Sequence, residues 1–412
     1  MLKGFIKVHC TIPAFILYTV IVSKELKAVA LCAVGAEKVL ANEIRKLGMQ
    51  IEEGGIGRVR YNTDVPGLYR SLYALRCADR VLLEAGFFHA DNFDSLYEET
   101  RSIPFEEFIP ADCGLKVAKV RSNKSKLNAE VSIQAVVHKA AAERLCQKYR
   151  LKRLPETPDS AELRVYLEKD KTSVLLDLTG DPLFKRGYRG GSGGAAPLRE
   201  TTAAAIILLS LWKRKFPLYD PFCGSGTIII EAALYAWDVA PGLNRRFAIE
   251  NLLIGHAKTQ KTVWEELAAK ADFTRPVCIA GSDADKNAIN NANVNLSRAF
   301  RGITGASKIN FQNISFANVP FENVRPGAEA AAWGSPGFII TNPPYGKRLG
   351  DVAAAEETYS AMGKLAHNFE NWKLAVITDH PGFESFFGKK ADSCREITNG
   401  AALAYLFQYG GR

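Results

Sequence analysis

From Lys27 the chain runs apolar to Val34, and then Ala36, Leu40, Ile44 and Leu47 recur at helical spacing between Gly35 and Leu47. An unbroken apolar run followed by a stripe of 3.6-residue period predicts a strand and then an amphipathic helix. Val59 and Tyr61 alternate with Arg58 and Arg60, which predicts a second strand over Ile56 to Tyr61. A second helix is expected over Val65 to Leu75, where Leu68, Leu72 and Leu75 share one face, and a third strand over Arg80 to His89. This order predicts a small α+β module of ferredoxin-like type across residues 25–90.

Residues 91–183 have their own rhythm: a helix over Asn92 to Glu99, a strand over Leu115 to Val120, a long helix over Glu130 to Tyr149, and strands over Leu163 to Glu168 and Ser173 to Leu178. They read as a second α+β unit. Composition then shifts to Gly190-Gly191-Ser192-Gly193-Gly194, which suits either a flexible linker or a loop whose backbone meets a ligand.

From residue 184 onward apolar strands alternate with helices. Strands are expected over Pro217 to Asp220, Val277 to Ser282, Gly337 to Thr341 and Lys373 to Thr378, and helices over Thr227 to Tyr235, Lys286 to Phe300 and Glu356 to Phe369. Such alternation predicts an α/β, Rossmann-like domain with a mostly parallel, doubly wound sheet. The end differs, because Ala391 to Ile397 and Ala401 to Tyr409 flank Asn399-Gly400, a strong signal for an antiparallel hairpin.

Residues 1–24 stand apart. Lys3 and Lys7 precede an apolar run from Ile12 to Val22 that resembles a signal peptide, but His9 and Pro13 interrupt the region and no small-residue cleavage pattern follows. The run is also too short to span a bilayer, so it reads as a dispensable extension.

Composition narrows the class. With 412 residues, 47% hydrophobic and 24% charged, the chain fits two or three soluble globular domains and excludes overall disorder. A net charge of +9 favours an acidic partner, of which nucleic acid is the commonest. Basic residues cluster at Lys116, Lys119, Arg121, Lys124 and Lys126, again at Lys148, Arg150, Lys152 and Arg153, and with Arg186 and Arg189 they predict an RNA-binding face. A solvated charged surface is the bland alternative for each cluster. The eight cysteines form no C-x-x-C pair and the six histidines are scattered, so no metal site is expected and a reducing, cytoplasmic setting is.

Three loops carry the candidate chemistry. Asp220-Pro221-Phe222-Cys223-Gly224-Ser225-Gly226-Thr227 follows a strand and opens a helix, where glycines admit a ligand to the backbone. It lacks the third glycine of a dinucleotide fingerprint and the Gly-Lys-Ser/Thr of a P-loop, which disfavours NAD and ATP. Gly281-Ser282-Asp283-Ala284-Asp285 follows the next strand; Asp283 suits ribose hydroxyls, whereas Asp285 suits a helix N-cap. Thr341-Asn342-Pro343-Pro344-Tyr345-Gly346 is a rigid diproline loop at a strand end. There the Asn342 side-chain oxygen and the Pro343 carbonyl can accept the two N–H bonds of an amine while Tyr345 stacks on its ring.

Together these loops resemble a class I S-adenosylmethionine-dependent methyltransferase. With Phe184-Lys185-Arg186-Gly187-Tyr188-Arg189 and Ala196-Pro197-Leu198-Arg199-Glu200-Thr201, the chain more narrowly resembles the THUMP-domain RNA guanine-N2 methyltransferases of the RlmL/YpsC type. The resemblance implies a seven-stranded, mostly parallel sheet ending in an antiparallel hairpin over 184–412, a ferredoxin-like module over 25–90 and a THUMP RNA-binding module over 91–183. It implies S-adenosylmethionine held by Arg199, Glu200, Thr201, Asp220, Cys223, Gly224, Ser225, Gly226 and Asp283, and a catalytic loop of Asn342, Pro343, Pro344 and Tyr345. Many relatives carry an aspartate for the adenine amine after the third strand; this chain has Gln312-Asn313, which assigns that role to Asn313. Structured RNA is the implied partner, with 23S ribosomal RNA favoured over transfer RNA. DNA adenine-N6 and protein glutamine methyltransferases share the Asn-Pro-Pro-Tyr loop, so the loop alone leaves the acceptor open and the amino-terminal half directs it to RNA. An RNA-binding assembly factor with an inert methyltransferase fold is the non-enzymatic alternative, opposed by the intact loops.

Overall fold

Two seven-stranded sheets organise the protein, one in each half of the chain. The computed structural model describes residues 25–190, 198–303, 305, 311–324, 336–344, 351–366, 369 and 371–410. The expected extension over 1–24, the glycine run from Gly191 and Tyr345 lie outside the described residues.

The first sheet begins with β1 (Leu26–Cys32), α1 (Glu37–Lys46), β2 (Gln50–Gly55), β3 (Arg58–Thr63), α2 (Val65–Ala74) and β4 (Ala78–His89). β1 lies between β3 and β4 and is antiparallel to both, which is a ferredoxin-like arrangement. The chain continues through α3 (Phe93–Ser102), β5 (Leu115–Asn123), α4 (Glu130–Tyr149), β6 (Ala161–Glu168) and β7 (Lys171–Asp177). β7 pairs with β4, giving the single order β2-β3-β1-β4-β7-β6-β5. The long strand β4 therefore belongs to both amino-terminal units and joins them into one sheet.

β2 has no counterpart among the strands expected from sequence. It is an edge strand whose residues are largely exposed, so nothing forces apolar alternation on it. By contrast, α4 matches its expected limits because one face, Ile133, Val137, Ala140, Ala141 and Leu145, is buried and the rest is wet.

The second sheet is built by α5 (Glu200–Leu209), β8 (Leu218–Asp220), α6 (Thr227–Ala236), α7 (Ala257–Ala268), β9 (Ile279–Asp283), α8 (Lys286–Ala299), β10 (Ile314–Asn318), β11 (Phe338–Thr341), α9 (Asp351–Ala366), β12 (Lys373–Thr378), α10 (Phe383–Phe387), β13 (Ser393–Asn399) and β14 (Ala402–Tyr409). The order is β10-β9-β8-β11-β12-β14-β13, parallel from β10 to β12 and closed by the antiparallel hairpin β13-β14. Strand order reverses between β8 and β11, and the crevice at the carboxyl ends of strands beside such a switch is where ligands bind in open α/β sheets. The sequence pattern passes over α5 because its run Ala203 to Ile207 is buried all round and shows no polar face.

The halves meet over α2 and α7. The Tyr69 hydroxyl accepts from the His256 amide at 3.1 Å, Gln260 Nε2 donates to the Tyr73 hydroxyl at 3.2 Å, and Arg70 pairs with Glu266 at 2.9 Å. One apolar cluster runs from Ala28 to Leu406 across the junction. Burial of this kind is the main force holding the amino-terminal sheet against the carboxyl-terminal one.

Candidate active site

The carboxyl ends of β8, β9 and β11 deliver Asp220, Asp283 and Asn342 to one cavity of about 520 Å³. Its walls include Cys223, Gly224, Ser225, Phe222, Phe321 and Pro344. The loop after β8 turns back on itself through the Gly226 amide, which donates to the Cys223 carbonyl at 2.8 Å, and is tied to β9 by the Cys223 amide on the Ser282 carbonyl at 2.9 Å. The two glycines of this loop serve different ends. A Cβ on Gly226 would lie 2.9 Å from the Phe316 ring, so that position is bare because β10 packs on it. Gly224, at φ +51°, has open space where a Cβ would sit, which leaves its backbone accessible to a ligand.

Cys223 packs against β9, where a Cβ on Gly281 would lie 2.6 Å from its own. Burial pushes its thiol well above the ordinary range, so it lines the cavity as a small apolar group and not as a nucleophile.

Asp220 is fully buried. Thr341 Oγ1 donates to its Oδ1 at 2.6 Å and the Phe222 amide donates to the same oxygen at 3.1 Å. Burial pushes its carboxyl up to about 7 against the pull of those two bonds, with a further push from Asp283. The folded state therefore keeps a proton that the unfolded chain, with a carboxyl near 3.8, has lost, and stability falls as pH rises from about 4 to about 7. Asp220→Asn keeps an acceptor for Thr341 and removes that loss. The variant is expected to exceed the parent in stability at pH 8 by on the order of 2–4 kcal/mol, with the gain shrinking toward pH 4. Unfolding measured at pH 5 and pH 8 checks this, and a gain independent of pH contradicts it.

Asp283 sits at the rim. Its Oδ2 accepts from the Gly224 amide at 2.9 Å and its Oδ1 from the Asp285 amide at 2.9 Å, so the carboxylate is aimed before any ligand arrives. Asp285 is the N-cap of α8, accepting from the Asn287 amide at 2.8 Å.

Asn342 and Pro344 line the cavity, and Pro343 between them is buried. Tyr359 on α9 donates its hydroxyl to the Pro344 carbonyl at 3.0 Å and contacts Thr378 Oγ1 at 3.0 Å. Phe222 and Phe321, with ring centroids 4.7 Å apart, form an apolar wall beside Asp283.

Four residues expected to hold the cofactor are not among those that line this cavity. The Arg199 guanidinium pairs with Asp79 at 3.2 Å and stacks over Phe184 at 4.4 Å, while Thr201 donates to Asp79 at 2.5 Å. Glu200 is buried against Arg189 at 3.4 Å. These three residues tie the start of α5 to β4 and to the 184–189 segment, and Leu198 is the neighbour that reaches the cavity. Asn313 precedes β10, and pairing of Ile314 with Ile279 and of Asn318 with Asp283 puts it at the opposite end of the strand from the cleft. Asn318 is at the cleft end, donating to the carbonyls of Asp283 and Ala284 at 3.0 and 2.9 Å. β10 itself, with five residues, carries too little pattern to place from sequence.

The expected basic face also changes. Arg186 is buried against Glu231, and the half-buried Arg189 bonds Glu200, Thr227 and the Leu198 carbonyl, so both are engaged within the protein. Lys116, Arg121, Lys126 and Lys148 pair with Glu162, Glu130, Asp91 and Glu106. Lys124, Arg150, Lys152 and Arg153 are exposed. Phe321, Thr358 and Tyr359 were not legible as site residues, because they reach the cleft from elements with no local motif of their own.

Comparison with known proteins places this cleft. The family model described as RMKL-like, methyltransferase domain, matches residues 186–404, and the RlmL ferredoxin-like domain matches residues 27–82. The chain belongs to the RMKL-like methyltransferase family. It is 34% identical over 393 residues to "Putative RNA methyltransferase YpsC" of Bacillus subtilis, covering 94% of this chain and 96% of that one. It is 33% identical to ribosomal RNA large subunit methyltransferase K/L of Syntrophotalea carbinolica across 93% of this chain, and spans 53% of that longer protein. Among solved structures, SMU.472, described as a putative methyltransferase complexed with SAH, superposes with a TM-score of 0.82 at 34% identity, covering 95% of this chain and 99% of that one. The protein is thus a methyltransferase with a ferredoxin-like amino-terminal domain and a Rossmann-like catalytic domain.

Proposed function

We propose that the protein methylates the exocyclic N2 amine of a guanine in structured RNA, with S-adenosylmethionine as donor and large-subunit ribosomal RNA as the favoured substrate. One observation carries this reading: Asn342 shares a single cavity with Gly224 and Asp283. The cavity suits the donor, since Gly224 exposes backbone, Asp283 is a preformed acceptor for ribose hydroxyls, and Phe222 and Phe321 offer an apolar wall for a purine. S-adenosylmethionine, when bound, supplies an activated methyl group on a sulfonium.

The chain's own residues do the rest. A guanine amine is a poor nucleophile because its lone pair is delocalised into the ring. Acceptance of its N–H bonds by the Asn342 side-chain oxygen and the Pro343 carbonyl localises that pair and stabilises the positive charge that grows on nitrogen. The diproline backbone keeps both acceptors still, so the reaction gains from alignment and needs no strong base. Tyr345, as the next residue of the loop, stacks on the extruded base.

The names of YpsC and methyltransferase K/L support RNA as substrate. In this reading residues 25–90 form the ferredoxin-like module, residues 91–183 a THUMP module that grips RNA through exposed cations such as Lys124 and Arg153, and residues 184–412 the catalytic domain, all acting in the cytoplasm. The test is transfer of labelled methyl groups to RNA from a strain lacking the protein, followed by nucleoside analysis. N2-methylguanosine is the expected product. Label appearing in DNA adenine or in protein, with none in RNA, would overturn the assignment.

A further inference from the structure

We propose that Tyr359 is a positioning residue for methyl transfer, pinning the Asn342–Pro344 stretch at the Pro344 carbonyl while Thr341, bonded to Asp220, pins it at the strand end. The inference rests on the catalytic reading of that loop and extends it to residues outside the motif.

The need for such a pin follows from the motif itself. Pro343 and Pro344 have no N–H, so two successive residues of the loop have no backbone donor with which to bind the body of the protein. Their rings limit φ, but a stiff stretch can still pivot as a unit. Two buried hydroxyls hold it. At the strand end, Thr341 Oγ1 donates to Asp220 Oδ1 at 2.6 Å, and both residues are at most 1% exposed. Three residues on, the Tyr359 hydroxyl donates to the Pro344 carbonyl at 3.0 Å.

The second anchor has its own support. The phenol has one proton, which goes to Pro344, so the 3.0 Å contact with Thr378 requires Thr378 to donate to Tyr359. Thr378 Oγ1 in turn accepts from the His380 amide at 3.2 Å. The result is a directed chain from the carboxyl end of β12 through α9 into the loop: His380 amide, Thr378, Tyr359, Pro344. Hydrogen bonds in series polarise one another in the same sense. The Tyr359 ring is fully buried, edge-on to Phe383 at 5.0 Å and to His380 at 5.8 Å, so the hydroxyl has little freedom to move. Burial also raises the phenol above its usual range, which keeps it a donor at every working pH.

A loop released from one anchor shifts its acceptors without removing them. Misplacement by about 1 Å at a reacting centre costs on the order of 100-fold in rate, so Tyr359→Phe is expected to lower kcat by about 10- to 100-fold. Affinity for S-adenosylmethionine by calorimetry and KM for RNA should stay within about twofold. Thr378→Val, one step back in the chain, should lower kcat in the same direction, and Thr378→Ser should restore it. A merely structural role would not produce a kcat loss that follows the hydroxyl at residue 378. Amide exchange over residues 338–342 needs no substrate and should quicken in Tyr359→Phe. If the parent transfers no methyl to RNA but exchange still quickens, the RNA reading fails and the anchor stands. If the parent is active and Tyr359→Phe matches it in both kcat and exchange, the anchor is wrong.

Discussion

Asn342→Ala is expected to lower the rate of methyl transfer by about 10²–10³-fold while leaving S-adenosylmethionine affinity within a few-fold of the parent. The direction follows from where the side chain stands. Asn342 leaves the end of β11 and lines the cavity on the side of Pro344, whereas the ribose-type acceptor Asp283 and the open backbone of Gly224 come from β9 and the loop after β8. Removing the Asn342 carboxamide takes away an acceptor that matters most when positive charge builds on the attacking nitrogen, and this charge is absent from the ground state. The effect therefore belongs in the chemical step and not in binding. Single-turnover rates with labelled donor, set beside calorimetric binding, separate the two. A loss of less than about tenfold would mean that the amine is held by other groups. A parallel loss of cofactor affinity would mean that Asn342 supports the cofactor side of the cleft.

The largest expected effect on stability is at a site outside the loops around Asp220, Asp283 and Asn342. Arg186 and Glu231 have side chains only 3% and 0% exposed, 3.5 Å apart, and the Tyr188 hydroxyl donates to the same carboxylate at 3.1 Å. Burial works most strongly against the Arg186 charge, but Glu231, Tyr188 and Glu200 together outweigh it and hold the guanidinium above its usual range. Arg186 also donates to the Leu183 carbonyl at 2.9 Å and to the Arg76 carbonyl at 2.6 Å, the latter across the junction between the two halves. Arg186→Ala leaves a buried carboxylate and two carbonyls without this donor. The expected cost is about 3–5 kcal/mol, the range for breaking a buried pair from one side. Replacing both members with apolar residues, Arg186→Met with Glu231→Leu, should recover much of the loss, because the main penalty comes from the orphaned charge. Denaturant unfolding of the two variants and the parent checks this. A cost below about 1 kcal/mol for Arg186→Ala would show that water reaches Glu231.

The same residue shows where reading the chain alone falls short. Arg186 and Arg189 look like part of a basic stripe, since a guanidinium is written identically whether it faces RNA or a buried carboxylate. Only the fold brings Glu231, 45 positions away, against Arg186. Arg199, Glu200 and Thr201 show the same limit: they open α5, and the side-chain partners the fold gives them are Asp79 and Arg189. Asn313 stands away from the cleft because β10 starts only at Ile314, and the length of one strand separates the two ends of the sheet.

By itself, the order of residues determined the fold class, the closing hairpin at Asn399-Gly400 and the loops around Asp220, Asp283 and Asn342. Those features are local: hydrophobic period, turn chemistry and glycine or proline geometry act over a few neighbours and leave a mark that can be read in place. The tertiary structure decided what those loops share. It put Asp220 beneath Thr341, brought Tyr359 to the Pro344 carbonyl, walled the cavity with Phe321 and withdrew Arg186 from the surface. Each of those contacts joins residues distant along the chain, and its strength depends on burial, which no short stretch of sequence encodes.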